Sequence, residues 1–416
     1  MDLPSQFTLF ADQVSTNAKL ISTYLQNGQA GSADTDVYEM SAAKAKLAEA
    51  AFGLLTLSRD SGSFLVHLTV DYQVVCALKW LCHFRILQLV PSNGTITYRK
   101  LAELAGAPEA TLRSALRLVM TSGLFDELGQ DVVGHSPISR RIATDDSLHH
   151  WVQYISSTIM PTAAKHLEAT ERWPNSRQVN ETAHNIAFDH DTAYFDFVAQ
   201  DMGRSIEFAR TMQAVSNTGS FENRHLVESF DWPSLGEGLI VDMGGSTGHA
   251  SLALAENFPD LRFIVQDVRD VVTDSKQRLE KRDLPSSIAS RIQFQEHSFF
   301  NLQQVKGASV YLLRHILHDW PDKEAIQILR NIVPVLGPKG RIIISDIVLP
   351  QRASIPAIEE RVMRMNDLLL HQFTNTSERA LGEWKAIFAA ASDRFCVERV
   401  YRNPNSVLSL IELTLG

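Results

Sequence analysis

Residues Leu239 to His249 read LIVDMGGSTGH, an apolar run that ends in an acid and breaks into glycines. Leu239, Ile240 and Val241 suit a strand buried on both faces, and Gly244, Gly245 and Gly248 free the turn that follows. The helix formers Ala250, Leu252, Ala253, Leu254 and Ala255 come next, then a second strand, LRFIVQD, closing on Asp267. In a nucleotide-binding βαβ half-unit an acid at that place holds a ribose. Ser246 stands at the second glycine of the dinucleotide fingerprint G-x-G-x-x-G, and no lysine follows as in a phosphate loop, so phosphate is not the expected ligand. An adenosyl group without phosphates fits better. The glycines admit its amino-acid and ribose end, Asp267 accepts both ribose hydroxyls, and S-adenosylmethionine meets that description. A turn without a ligand would use the same glycines, but it has no need of Asp242 before them and Asp267 after them.

A second reactive group lies in YLLRHILHDW, expected to run as a strand into His318, Asp319 and Trp320, with Pro321 stopping it. Ligands in open α/β sheets bind outside the carboxyl ends of the strands, so His318 is expected on the same rim as the glycine turn. A neutral imidazole there can take the proton of a substrate hydroxyl. The alkoxide or phenolate so formed attacks a sulfonium methyl far better than the neutral hydroxyl does. A carboxylate that orients the ring improves such a base. Asp346, expected to end the strand GRIIISD, and Glu378 in NTSERALGEW are the two candidates. Their bland alternatives are a strand-end turn acid and an acid favoured by a helix dipole.

These residues need an open sheet to bring them together. After Leu239 the strands LIVDM, LRFIVQD, RIQFQEHSF, ASVYLLRH and GRIIISDIVLP alternate with helical stretches, which implies a parallel sheet covered on both faces. FCVERVYRN and VLSLIELTL, separated by Asn403 to Asn405, are expected as an antiparallel closing hairpin. Upstream, an amphipathic helix is expected to end at Asn27 and Gly28, followed by a loop, GQAGSADTD, and a helix through SAAKAKLAEAAFGLLTLSRD. DYQVVCALKWLCHFRILQLV is apolar nearly all round and must be buried, in its own core or against another subunit. TYRKLAELAG, APEATLRSALRLVMTSG and LFDELGQDVVGHS then give helix, turn, helix and hairpin, the order of a winged helix. Residues from about Asp146 to Asp231 are helical again. The expected domains are a helical arm at 1–70, a winged-helix domain at 71–150, and a helical connector plus sheet domain at 151–416.

Composition excludes several classes. Of the 416 residues 44% are hydrophobic and 21% charged, as in ordinary globular proteins. Arg113 and Arg117 could meet phosphates, but Glu109, Asp126, Glu127 and Asp131 oppose a nucleic-acid groove, and so does the net charge of −9. No nucleic-acid partner is expected. Cys76, Cys82 and Cys396 are too few for a disulfide framework or a zinc knuckle and are expected as small buried apolar groups. His149 and His150 are adjacent on a helix, which does not aim both rings at one metal, and no metal is expected. No charge-free apolar stretch approaches a membrane span and MDLPSQFTLF lacks a secretory pattern, so the expectation is a cytoplasmic protein with no membrane partner.

Together these motifs resemble the S-adenosylmethionine-dependent O-methyltransferases of the caffeate and flavonoid type, particularly their fungal natural-product branch. VDMGGSTGH is similar to that family's VDVGGGxGH cofactor loop, FIVQD to its ribose acid, LLRHILHDWPD to its HDW segment and SERALGEW to its KERT-type segment. The resemblance runs from roughly Asp71 to the C-terminus. It implies a Rossmann-like class I methyltransferase domain, α/β with a mostly parallel seven-stranded sheet, behind an all-α/winged-helix domain that dimerises and closes one side of the substrate pocket. It makes His318 the proton acceptor flanked by Asp346 and Glu378, and Gly244, Gly245, Asp267, Ser298, Phe299 and Arg314 cofactor contacts. The chain departs from the pattern at Ser246, which replaces the third glycine and is expected to keep a negative φ. It departs again at Asp346, where many relatives have glutamate, and at Ser298 and Phe299, where many have an acid and a bulky apolar residue. Thr376 and Ser377 precede Glu378 in place of the usual Gly-Lys pair. The implied activity is methyl transfer from S-adenosylmethionine to a hydroxyl of an aromatic or polyketide-like small molecule, by a homodimer. Some fungal relatives instead retain the cofactor unconsumed and steer pericyclic reactions; the intact His318-Asp319-Trp320 segment favours methyl transfer.

Overall fold

The structure is a computed structural model that describes residues 2–27, 34–281 and 284–416. It divides into two compact units, Met1–Asp71 with Pro350–Met365, and Tyr72–Leu349 with Asn366–Gly416. Residues 71–150 and 151–416 are expected as separate domains; all of them but Asp71 and Pro350–Met365 fall in the second unit. In the first unit the helices Leu3–Asn27 and Asp34–Ser58 pack along each other. Of the expected loop, residues 28–33 lie outside the described residues, and Asp34 is already helical. Glu49 accepts from the backbone N–H groups of Ala357 and Ile358, which caps the start of the helix Ala357–Phe373 with a negative charge.

Helix Ser61–His83 begins well before Asp71 and is, by length and composition, long and apolar enough to cross a membrane, but it carries Asp71 within it and is not a charge-free stretch. The sequence count stopped at the charge of Asp71; the helix runs through it. The downstream half turns inward. Ala77, Leu81, Cys82, Ile86 and Leu87 pack with Leu101, Leu112, Leu116 and Val133 in one core, so most of the apolar run around Val74 to Leu89 is spent within the chain. The exposed apolar side chains are upstream, at Phe64, Leu65, Val66 and Leu68. Cys82 is buried, but Cys396 is exposed, against expectation, because its strand lies at the edge of the sheet.

In the second unit, helices Tyr98–Ala105 and Glu109–Met120 are framed by strands β1 (Thr95–Thr97), β2 (Asp126–Gly129) and β3 (Val132–Gly134), in the order β1-β3-β2. Arg113 pairs with Glu109 and Asp131, and Arg117 forks onto Glu127, so the two cations considered for phosphate are bound to local acids.

The central sheet contains β4 (Leu239–Met243), β5 (Arg262–Asp267), β6 (Ile292–Glu296), β7 (Val310–Arg314), β8 (Arg341–Leu349), β10 (Phe395–Arg402) and β11 (Leu408–Leu415), with the two-residue β9 (Arg379–Ala380) pairing beside β8. The order is β10-β11-β8-β7-β4-β5-β6. Pairings from β6 to β8 are parallel, and β11 and β10 close the edge antiparallel, as expected. Each strand feeds both faces: Val241, Tyr311, Leu313 and Ile344 enter one core, and Ile240, Val310, Leu312 and Ile343 the other. The chain leaves β4 toward β5 and β6, then returns to lay β7 on its other side, and this reversal opens the ligand crevice at the carboxyl ends of β4 and β7.

Candidate active site

β4 ends at Met243 and the backbone turns sharply, with φ of 70° at Gly244, 50° at Ser246 and 72° at Gly248. The Ser246 value overturns the expected negative φ. Its N–H donates to Oδ2 of Asp267 at 2.9 Å and its carbonyl accepts from Ser275 Oγ at 3.2 Å, and these bonds offset the cost of left-handed backbone at a residue with a Cβ. A Cβ on Gly244 would stand 2.5 Å from Ile316 Cδ1 and 3.3 Å from Phe299 Cε1, so the glycine makes room for the segments above it. Asp242 is buried with Oδ2 accepting from Ser251 Oγ at 2.6 Å, and burial pushes its carboxyl up to about 6. Asp267 accepts one backbone N–H on each oxygen, from Ser246 and Val268, and so keeps further lone pairs available.

β7 stops at Arg314, short of the expected His318. His315 follows with φ 55°, and His318 rides on the 3-10 turn Leu317–Asp319. Nδ1 of His318 lies 2.9 Å from Oε1 of Glu378, and Nε2 lies 3.7 Å from Oδ1 of Asp319. Of the two acids expected to hold the ring, Glu378 does so. Asp346 is internal to β8, which runs on to Leu349, and neither of its buried carboxylate oxygens has a partner. Burial pulls the proton affinity of His318 down, but Glu378, Asp319 and Asp346 outweigh it and push the imidazole up to about 10. Burial likewise raises Asp319 to about 6 and Asp346 to about 7.

Arg379, next to Glu378, clamps the turn: its guanidinium donates to the carbonyls of Leu317 and Trp320 and to the carboxylate of Asp322. Trp320 packs against Phe299, Phe300 and Phe195, and Phe195 continues the aromatic line to Tyr194, whose hydroxyl lies 2.6 Å from that of Tyr154. Phe299 thus links the glycine turn to Trp320. Ser298 Oγ is used locally, accepting from Phe300 N–H. The guanidinium of Arg314 is committed to Ser216 Oγ at 2.9 Å and the carbonyl of Phe221 at 2.7 Å, and burial pulls its proton affinity down to about 10.

Comparison with known proteins decides the family. An O-methyltransferase domain matches residues 175–393. The chain is 55% identical to the O-methyltransferase bfoD of Aspergillus brasiliensis, covering 99% of each chain. It belongs to the O-methyltransferases. Among solved structures, OxaC in complex with SAH and oxaline has a TM-score of 0.76 at 22% identity, covering 98% of this chain and all of that one. A structure titled as a pericyclic reaction enzyme also reaches 0.76 at 21% identity, covering 97% of this chain and 100% of that chain.

The O-methyltransferase uses S-adenosylmethionine, and the residues at the crevice fit it. Gly244 lacks the Cβ that would collide with Ile316 and Phe299, so the loop backbone stays bare there, and the carboxylate of Asp267 has lone pairs to spare. Three contributors, His315, Arg379 and Tyr154, were not singled out from the sequence pattern. His315 lay in view, three residues before His318. Arg379 was visible as the neighbour of Glu378. Tyr154 and Tyr194 are 40 residues apart, and only folding joins their hydroxyls.

Proposed function

We propose that His318 is the general base of an S-adenosylmethionine-dependent O-methyltransferase acting on a hydroxyl of an aromatic or polyketide-like small molecule. The observation that carries this reading is the Glu378–His318 hydrogen bond, a buried base with a fixed ring. Gly244, Gly245, Gly248 and Asp267 would hold the cofactor, with Asp242 supporting the loop from beneath. When bound, the cofactor supplies an electrophilic methyl on a positively charged sulfur.

In this reading Glu378 keeps the proton on Nδ1 and leaves Nε2 to accept the proton of the substrate hydroxyl. The carboxylates of Glu378, Asp319 and Asp346 stabilise the imidazolium that results. Their field also raises the proton affinity of the ring, so that a neutral His318 is a strong acceptor for the hydroxyl proton. Trp320, Phe195 and Tyr194 offer flat apolar surface beside the base, which suits an aromatic acceptor and excludes water from the phenolate. Ser298, Phe299 and Arg314 are proposed at the adenosyl and amino-acid ends, Arg314 acting through the residues it holds.

The pericyclic alternative shares the fold. A proton acceptor already paired with its carboxylate favours methyl transfer. Incubating the pure chain with labelled S-adenosylmethionine and a panel of phenolic extracts tests both: a product heavier by one methyl with S-adenosylhomocysteine released supports the proposal, and an isomerised product of unchanged mass overturns it. We further propose a homodimer, supported by the exposed side chains of Phe64, Leu65, Val66 and Leu68 on one helix and by the winged-helix order of residues 98–134. Light scattering showing only a monomer at micromolar concentration would contradict it.

A further inference from the structure

Beside the Glu378–His318 pair, His315, His318 and Asp346 each offer one metal-ligating atom, and these atoms lie within 4.8 Å of one another. Asp346 is 0% exposed with both carboxylate oxygens unbonded, and Nε2 of His315 is also buried without a partner. Buried polar groups are almost always satisfied, and an unpaired buried carboxylate is costly. His315 is left-handed, with φ 55°, and its ring lies 5.4 Å from that of His318, while Asp346 comes from β8, the strand paired with β7. Left-handed backbone is uncommon at a residue with a side chain of this size and marks functional positions.

Two imidazoles and one carboxylate suit zinc-class transition metals rather than magnesium or calcium, which prefer all-oxygen sets. Glu378 on Nδ1 of His318 repeats the carboxylate–histidine support that metal sites use, and it leaves Nε2 turned away from Glu378.

We propose that His315, His318 and Asp346 form a binding site for a divalent transition metal of the zinc class, whose occupation and methyl transfer exclude each other. The exclusion rests on the reading of His318 as proton acceptor, because a metal on its free nitrogen leaves no lone pair for the substrate proton. The binding itself does not depend on that reading.

The test is calorimetric titration of Zn²⁺ alone into the chelator-stripped full chain, without cofactor or acceptor, for wild type, His315→Asn and Asp346→Asn. Asparagine tolerates left-handed backbone and is nearly isosteric with aspartate, so both variants should keep the fold, which melting curves check. The expected result is one Zn²⁺ per chain, bound about tenfold or more weakly in each variant, since losing even an outer-shell partner commonly costs 10- to 100-fold. Equal affinity in all three proteins overturns the site. Methyl transfer is then measured with Zn²⁺ and again after chelation. Wild type should be inhibited reversibly, and whatever activity His315→Asn retains should resist inhibition. Zn²⁺ bound at this site with methyl transfer undiminished overturns the exclusion, and it places the fault in the role given to His318. Inhibition that survives in His315→Asn overturns the assignment of inhibition to this cluster.

Discussion

Oε1 of Glu378 lies 2.9 Å from Nδ1 of His318, and this bond sets the tautomer of the ring. An ionised carboxylate only accepts, so the proton sits on Nδ1 and Nε2 is left as the acceptor. Glu378→Gln reverses that logic, because the amide can donate to Nδ1 and drive the proton onto Nε2. The expected outcome is kcat lower by roughly 10²-fold or more, with cofactor affinity unchanged by calorimetry, since misorienting a catalytic imidazole is expensive. Glu378→Asp should restore part of the rate. A Gln variant with wild-type kcat would remove the orienting role.

His318→Ala deletes the base itself. General base catalysis typically contributes 10² to 10⁴, and kcat should fall by roughly that factor while the affinity for S-adenosylmethionine stays within measurement error. Residual turnover would come from holding nucleophile and methyl in line. Turnover close to wild type would take His318 out of the chemistry.

Much of this site was legible because it is written in local runs. The glycines, Asp267 and the HDW segment lie at ends of strands whose apolar patterns are unmistakable, and the α/β alternation then fixes which rim they share. What was hidden depends on backbone that side-chain patterns do not encode. Nothing in GGSTG says that Ser246 is left-handed; that follows from the pull of the Asp267 carboxylate on its N–H. The choice between Asp346 and Glu378 also turns on the backbone. Asp346 closes the run GRIIISD, but pairing with β11 carries β8 on to Ile347 and pairing with β9 carries it to Leu349, and a carboxylate on so short an arm makes no bond to His318. Arg314 was carried over from a family position, whereas its actual partners, Ser216 and Phe221, lie nearly a hundred residues upstream.

Gly245 tests the floor of the cofactor loop. A Cβ there would lie 2.7 Å from the Asp242 carboxylate and from Val265 Cγ1, both in the buried layer beneath the turn. Gly245→Ala must push the carboxylate away from Ser251 or lift the loop, and overpacking of this kind costs about 1–3 kcal/mol. Affinity for S-adenosylmethionine should fall along with the melting temperature. Gly337→Ala, where a Cβ meets nothing within 4 Å, is the control and should leave both unchanged. Equal behaviour of the two variants would show that the loop tolerates a side chain and that position 245 is not part of the cradle.

His184 gives the fold a pH dependence of its own, away from the base. It is buried among Phe188, Tyr194, Phe197 and Phe373, with Nδ1 2.8 Å from Nε2 of His190. Burial, with help from His190 and Arg204, pulls its proton affinity down to about 3. In the unfolded chain the ring takes a proton below its ordinary value of 6.5, while the native ring stays neutral, so the unfolded state binds more protons between pH 6.5 and about 3. Stability therefore falls as pH falls through that window. At pH 5 the loss is about 2 kcal/mol, because each pH unit below 6.5 carries about 1.4 kcal/mol. Urea unfolding at pH 7 and pH 5 should show that difference in wild type, reduced by about 2 kcal/mol in His184→Gln, which keeps a hydrogen-bonding side chain without titrating. If wild type and variant lose the same stability on acidification, the group responsible lies elsewhere and His184 is not held neutral by the aromatic rings around it.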